Sequence, residues 1–111
     1  MPQNETVAAK VRAAVLSVVK ICDPGAYRGK AQEYCTYSMF RRPADFGDDQ
    51  PGAMICEVSV HYFLPLSLNP ERKLSALQGA LGALGTWPTV EDASDLEGQH
   101  YVLELQIAAG V

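Results

Sequence analysis

Only two histidines, three cysteines and one tryptophan occur among the 111 residues. Three is an odd number of cysteines, and none of them forms a C-x-x-C pair, which argues against a disulfide framework. Cys22, Cys35 and Cys56 sit among apolar or aromatic neighbours. They read as reduced, buried thiols of a protein made in a cytosol, serving as small hydrophobes. No apolar run approaches the roughly 20 residues that a membrane-spanning helix needs. The opening "MPQNETVAAK" lacks the basic segment followed by an apolar one that a secretion signal requires. No G-x-S-x-G, H-E-x-x-H, Walker loop or dinucleotide fingerprint is present, so no enzyme class announces itself and no cofactor is expected. A net charge of −4 argues against direct nucleic-acid recognition, which leaves a basic footprint.

What is there reads as globular: 48% hydrophobic and 20% charged residues, in a length suited to one domain over residues 1–111. The charge is unevenly spread. Residues 1–42 carry a net +4 and residues 43–111 a net −8. This is either clustering on a mixed surface or a subunit with a basic side and an acidic side, suited to head-to-tail docking with copies of itself.

Two helices are expected. In "NETVAAKVRAAVLSVVKI", residues Val7, Val11, Ala14, Val15, Val18 and Ile21 form a stripe at helical period, with Asn4 or Thr6 as cap and "CDPG" as the stop. The second helix opens at Asn69 as cap with Pro70 in its first turn, and buries Leu74, Leu77, Leu81 and Leu84. Gly79 and Gly82 give it a thin side for the close approach of another backbone, and Gly85 closes it. "YCTYSMFRR" reads as a strand. "MICEVSVHYFL" and "HYVLELQIA" alternate strictly, with Val58, Val60, Leu103 and Leu105 on an apolar face and Glu57, His61 and Glu104 on a polar one. "TWPTVEDASDLEG" is a loop or short strand. The expectation is an α+β fold, an antiparallel sheet with two helices packed on one face, in the order α-β-β-α-(β)-β.

Between the first two strands lies "RRPADFGDDQPG", which expects a long hairpin loop at about 42–53. Asp45, Asp48 and Asp49 lack EF-hand spacing, and a strand rather than a helix follows, so neither a metal nor a phosphate site is assigned. Pro43, Gly47, Pro51 and Gly52 suit strand ends and turns. A charged arm with Phe46 as aromatic anchor, acidic at its tip and basic through Arg41 and Arg42 at its base, is a candidate contact surface. His61 and His100 fall on the polar sheet face beside Glu57 and Glu104. That set fits an acid–base pair in a small cytosolic enzyme or ligand-binding domain, and equally ordinary cross-strand pairing.

The element order, the "Y-x-x-Y-x-x-F" of Tyr34, Tyr37 and Phe40, and "G-Q-H-Y" leading into the last strand through Gly98, His100 and Tyr101 carry a resemblance. Over roughly residues 5–108 the chain resembles the tail terminator, or tail-to-head joining, proteins of long-tailed bacteriophages and prophages. The glycine-rich "LQGALGALG" departs from that pattern. The resemblance implies a structural virion protein with no catalytic residues. Such a subunit is made in the bacterial cytoplasm and forms a homohexameric ring at the head-proximal end of the tail. The ring caps the tail tube protein and presents a surface to the head connector or stopper protein. Other tail-tube, tail-completion or head–tail connector subunits are similar in pattern. On this reading the interface candidates are Arg41, Arg42, Asp45, Phe46, Asp48, Asp49, Glu57, His61, His100 and Glu104.

Overall fold

The computed structural model describes residues 6–43 and 54–109. Within them the order is α1 (Val7–Leu16), β1 (Cys22–Pro24), β2 (Tyr34–Pro43), β3 (Met54–Leu64), α2 (Glu71–Gly82), β4 (Thr89–Asp92) and β5 (Gln99–Ala109). The described strands form one sheet in the order β1-β2-β3-β5-β4. The pairs β2–β3, β3–β5 and β5–β4 are antiparallel.

Alternation builds the core. Cys56, Val58, Val60, Tyr62 and Leu64 of β3 are buried, and every second residue between them is half-buried. The register sets Val60 beside Leu103, Val58 beside Leu105 and Cys56 beside Ile107. Both helices pack on this face: Val11 and Val15 of α1 and Leu77 and Leu81 of α2 are fully buried in the same cluster. Each such side chain stabilises the fold by about 1.5–3 kcal/mol on removal from water. The chain is therefore α+β, with two helices on one face of a largely antiparallel sheet.

Four local expectations change. First, α1 ends at Leu16 and not near Ile21. The Ser17 hydroxyl donates to Ala14 O (2.6 Å), competing with the helix ladder, and residues 17–20 form a turn in which Val18 N and Val19 N both donate to Val15 O (2.9 Å). Val19, outside the expected stripe, is buried as a result. Thr6 is a cap, its Oγ1 accepting from Ala9 N at 3.0 Å.

Second, "CDPG" is more than a stop. Cys22–Pro24 is a strand parallel to β2, with Cys22 opposite Cys35, so the sheet is mixed at this edge. Gly25 turns the chain away at φ 75°, a conformation that glycine adopts without steric cost.

Third, Gly85 does not close α2. The helix is capped at Ala83, and among the described glycines Gly25 alone has a positive φ. Gly85 instead lies where the chain crosses β5: a Cβ there would stand 2.1 Å from the Gln106 carbonyl oxygen. At the other end the cap position falls on Pro70, one residue later than expected, and Asn69 Oδ1 accepts from Glu71 N (2.9 Å) just ahead of it.

Fourth, the thin side of α2 receives a side chain and not a backbone. The Trp87 ring lies over Gly82, where a Cβ would approach it to 2.6 Å, and Gly79 faces open space.

Candidate functional site

The sheet face away from the helices divides into an aromatic end and a polar end. At the aromatic end a row of rings crosses four segments. Tyr27 packs on Tyr34 (centroids 4.5 Å apart), Tyr34 on Phe63 (4.8 Å), and Phe63 on His100 (4.2 Å). The row exists because strand alternation puts His61 and Phe63 on one face and the register sets Phe63 opposite both Tyr34 and His100. His61 lies diagonally from His100, and its Nδ1 is 2.8 Å from His100 Nε2. One ring must supply the N–H and the other the lone pair, so this contact is made with the pair neutral or singly charged. Burial, and then the neighbouring charge of His61, hold the His100 pKa below the usual histidine value, with Asp95 opposing. A groove of about 390 Å³ opens beside this row, lined by Tyr34, Phe63, His100, Gln32, Asp95 and Glu97 among others.

At the polar end, Arg42 Nε donates to Glu57 Oε2 at 2.6 Å, and Gln106 Nε2 donates to the same carboxylate at 3.1 Å. The Arg42 hydrogen bond, against a smaller opposing effect of burial and with help from Gln106, holds the Glu57 carboxyl below its usual pKa. Ser59 Oγ donates to Glu104 Oε2 at 3.4 Å. Phe40, on the same face of β2, is largely exposed, as is Trp87.

The expected site residues therefore meet in a different pairing. His61 bonds His100, Glu57 bonds Arg42 and Gln106, and Glu104 bonds Ser59; the described hydrogen bonds include none from either histidine to either glutamate. The carboxylate–imidazole set expected of an enzyme is thus not assembled in this structure. Arg41 is exposed at the far end of β2. Pro43 and Met54 are register partners, so residues 44–53 join adjacent antiparallel strands. Asp45, Phe46, Asp48 and Asp49 lie outside the described residues. Glu57 and His61 are half-buried rather than open, and Glu104 is exposed.

Sequence reasoning missed two features. One is the aromatic row; its signal was the i, i+2 spacing of His61 and Phe63 on a face read as polar. The other is a polar knot at the helix-covered side. Tyr62 OH donates to Glu33 Oε2 at 2.5 Å, and Lys73 Nζ donates to both oxygens of Glu33 at 2.9 Å. Burial raises the Glu33 pKa, but the Tyr62 and Lys73 hydrogen bonds and the Lys73 charge outweigh it and hold the carboxyl below its usual value. The knot ties the start of β2 to β3 and to the first turn of α2, and every group in it is satisfied.

Cys22, Cys35 and Cys56 are buried free thiols. Burial pushes the Cys22 thiol up to about 11 and raises Cys35 further, so both stay protonated near neutral pH and are poor nucleophiles. Among the described residues no group of three or more His, Cys, Asp or Glu side chains is placed to hold a metal ion, and no described helix is long and apolar enough to cross a membrane.

The strand order also gives the uneven charge of the sequence a spatial meaning. β4 and the turn after it carry Glu91, Asp92, Asp95 and Glu97, all exposed, at one edge of the sheet. Ser94, through its hydroxyl and its N–H, holds Asp92 below the usual carboxylate pKa, so it is fully charged near neutral pH. The opposite edge carries exposed Lys20, Arg28, Lys30 and Arg41 around β1 and β2, against Asp23. Compared with protein-family models and with curated proteins, the chain matches none.

Proposed function

We propose that this chain is a structural, ring-forming subunit of a long-tailed phage or prophage virion, a tail terminator or tail-completion protein. In this role it caps the tail tube and joins it to the head connector, without catalysis. The observation that carries the reading is the opposition of charge between the two sheet edges. A subunit that is basic at one edge and acidic at the other favours heterologous contacts with its own copies, and such contacts close into rings when the rotation between subunits permits. The order of elements and the aromatic and "G-Q-H-Y" positions that resemble tail terminators narrow the ring to a virion. Half-buried rings on the open face give a further surface for a tail or connector protein, since aromatic residues dominate interface energetics.

The experiment is to purify the chain, image it by negative-stain electron microscopy alone, and image it again with polymerising tail tube protein. Rings, and tubes stopped at uniform length with the subunit at one end, support the proposal. Particles with no ring and tubes of unchanged length overturn it.

A second reading, a small ligand-binding domain, is favoured by the groove beside Tyr34, Phe63 and His100. It predicts a rise in melting temperature with a planar, aromatic small molecule and no self-assembly.

A further inference from the structure

Among the described residues, the outer side of β4 and the end of β2 beyond β1 have no strand partner, and their main-chain polarity, side-chain faces and charges match one another. On the basic side, Cys35 N donates outward to Ile21 O, and Tyr37 O accepts from Gly25 N. Alternate residues of a strand point their N–H and C=O groups to the same side, so Met39, Arg41 and Pro43 also point outward. β1 reaches only Tyr37, and no described residue pairs with β2 beyond it on that side. On the acidic side, Ala93 N donates inward to His100 O. The same alternation directs Glu91 and Thr89 toward β5 and leaves Val90 and Asp92 pointing out, with no described strand beyond them.

We infer that β4 of one copy pairs antiparallel with the open end of β2 (Phe40–Pro43) of a second copy, with Asp92 opposite Arg41 and Glu91 opposite Arg42. This deepens the ring-subunit reading and rests on its claim that the chain self-associates. Three independent features agree on this register. It pairs outward residues with outward residues, Asp92 with Arg41 and Val90 with Pro43, so the ladder hydrogen bonds have partners; Pro43 lacks an N–H but its carbonyl accepts. It matches faces: Glu91 and Arg42 lie on the open face, Asp92 and Arg41 on the helix side. It matches strand direction. β2 runs parallel to β5 and β4 runs against both, so a neighbour rotated about a ring axis presents β4 antiparallel to β2.

The charges also exclude the wrong pairings. An acidic edge repels another β4 and a basic edge repels another β2, so head-to-tail addition is the arrangement they permit. Exposed Phe40 and Val90 lie within the paired stretch and supply apolar contact, Phe40 next to the small Ala93.

The test uses the full chain in two variants, Glu91→Lys/Asp92→Lys and Arg41→Glu/Arg42→Glu, each alone and mixed one to one, read by native mass spectrometry and sedimentation velocity. The first variant is basic in both paired stretches, 40–43 and 90–93, and the second is acidic in both. Each alone is expected to weaken assembly by about tenfold or more in dissociation constant. The mixture is expected to recover it, with the two variants alternating and even subunit numbers favoured. Arg42→Glu also removes the ion pair with Glu57. The single changes Arg41→Glu and Asp92→Lys leave that pair in place and carry the same test if the double variant does not fold. Wild type that assembles while each variant assembles equally well overturns this register and leaves the ring reading standing. Variants that stay monomeric even when mixed overturn it as well. Wild type that stays monomeric throughout overturns both.

Discussion

Three glycines in and after α2 give opposite responses to the same substitution. In the helix interior Gly79 has nothing within 4 Å of a built Cβ. Gly79→Ala then gains helix propensity with no steric cost, about 0.8–1 kcal/mol. At Gly85 the Cβ would stand 2.1 Å from the Gln106 carbonyl oxygen and 3.0 Å from Ile107 Cγ1. The obstacle is backbone of a long core strand, which cannot rotate aside. Relief requires the α2–β4 connection to lift away from β5, which breaks the hydrogen bonds Thr86 N→Gln106 O and Gln106 N→Thr86 Oγ1, both 2.9 Å. Two hydrogen bonds at about 0.5–1.5 kcal/mol each, with about 1–3 kcal/mol for forced repacking, make Gly85→Ala destabilising by roughly 2–6 kcal/mol.

Gly82 lies between these cases. Its Cβ meets the ring of Trp87, a largely exposed side chain that is free to move. The propensity gain is then offset by loss of that contact, and Gly82→Ala is close to neutral. Trp87 is the chain's single tryptophan, so its fluorescence reports this displacement directly. Urea denaturation followed by circular dichroism ranks the three variants as Gly79→Ala above wild type, Gly82→Ala near it and Gly85→Ala well below. A neutral or stabilising Gly85→Ala refutes the argument that backbone proximity sets the residue. A Gly82→Ala with unchanged tryptophan emission refutes the placement of Trp87.

Val60→Asp places a carboxylate on the fully buried face beside Leu103, at several kcal/mol. Ser59→Asp, on the open face opposite Glu104, adds only like-charge repulsion of about 1 kcal/mol or less; thermal melts showing the reverse order refute the register. Because the folded-state pKa of His100 lies below its usual 6.5, the folded state binds fewer protons than the unfolded one. The contribution is intact above pH 6.5 and declines as pH falls through the folded-state value. Melting temperature is therefore expected to drop between pH 7 and pH 5, and His100→Phe, which keeps the stacking ring, is expected to flatten that slope. Val90→Pro removes an outward N–H without touching the β4–β5 ladder; sedimentation should show weakened assembly, while far-ultraviolet circular dichroism keeps the wild-type spectrum. Chelation of divalent metal is expected to leave melting temperature and assembly unchanged, and a loss of several degrees would revive a role for Asp45, Asp48 and Asp49 as ligands.

The long strands and α2 were legible because their signals are local. Alternation in β3 and β5 spans eleven residues each, and Asn69 with Pro70 marks a helix start independently of tertiary context. The end of α1 was not, since Val18 and Ile21 satisfy a helical stripe and an extended chain equally, and the pairing of Cys22 with Cys35 decides between them. β1 has three residues, too few to show any period. The pairing of the histidines was hidden for another reason. Each strand revealed which face its side chains take, but the offset between β3 and β5 sets His61 opposite Val102 and not opposite Glu104. Strand order, equally invisible in the sequence, turns two unequal halves of the chain into two opposed edges.

The central claim, that the chain assembles with itself head to tail into a closed ring, is tested most directly by native mass spectrometry of the wild-type protein over a concentration series. The account predicts one discrete assembly at a fixed whole multiple of the 12.0 kDa subunit, six in the proposed ring, with no open-ended ladder of larger species. A chain that remains monomeric at its highest soluble concentration, or that stops at an isologous dimer, contradicts it.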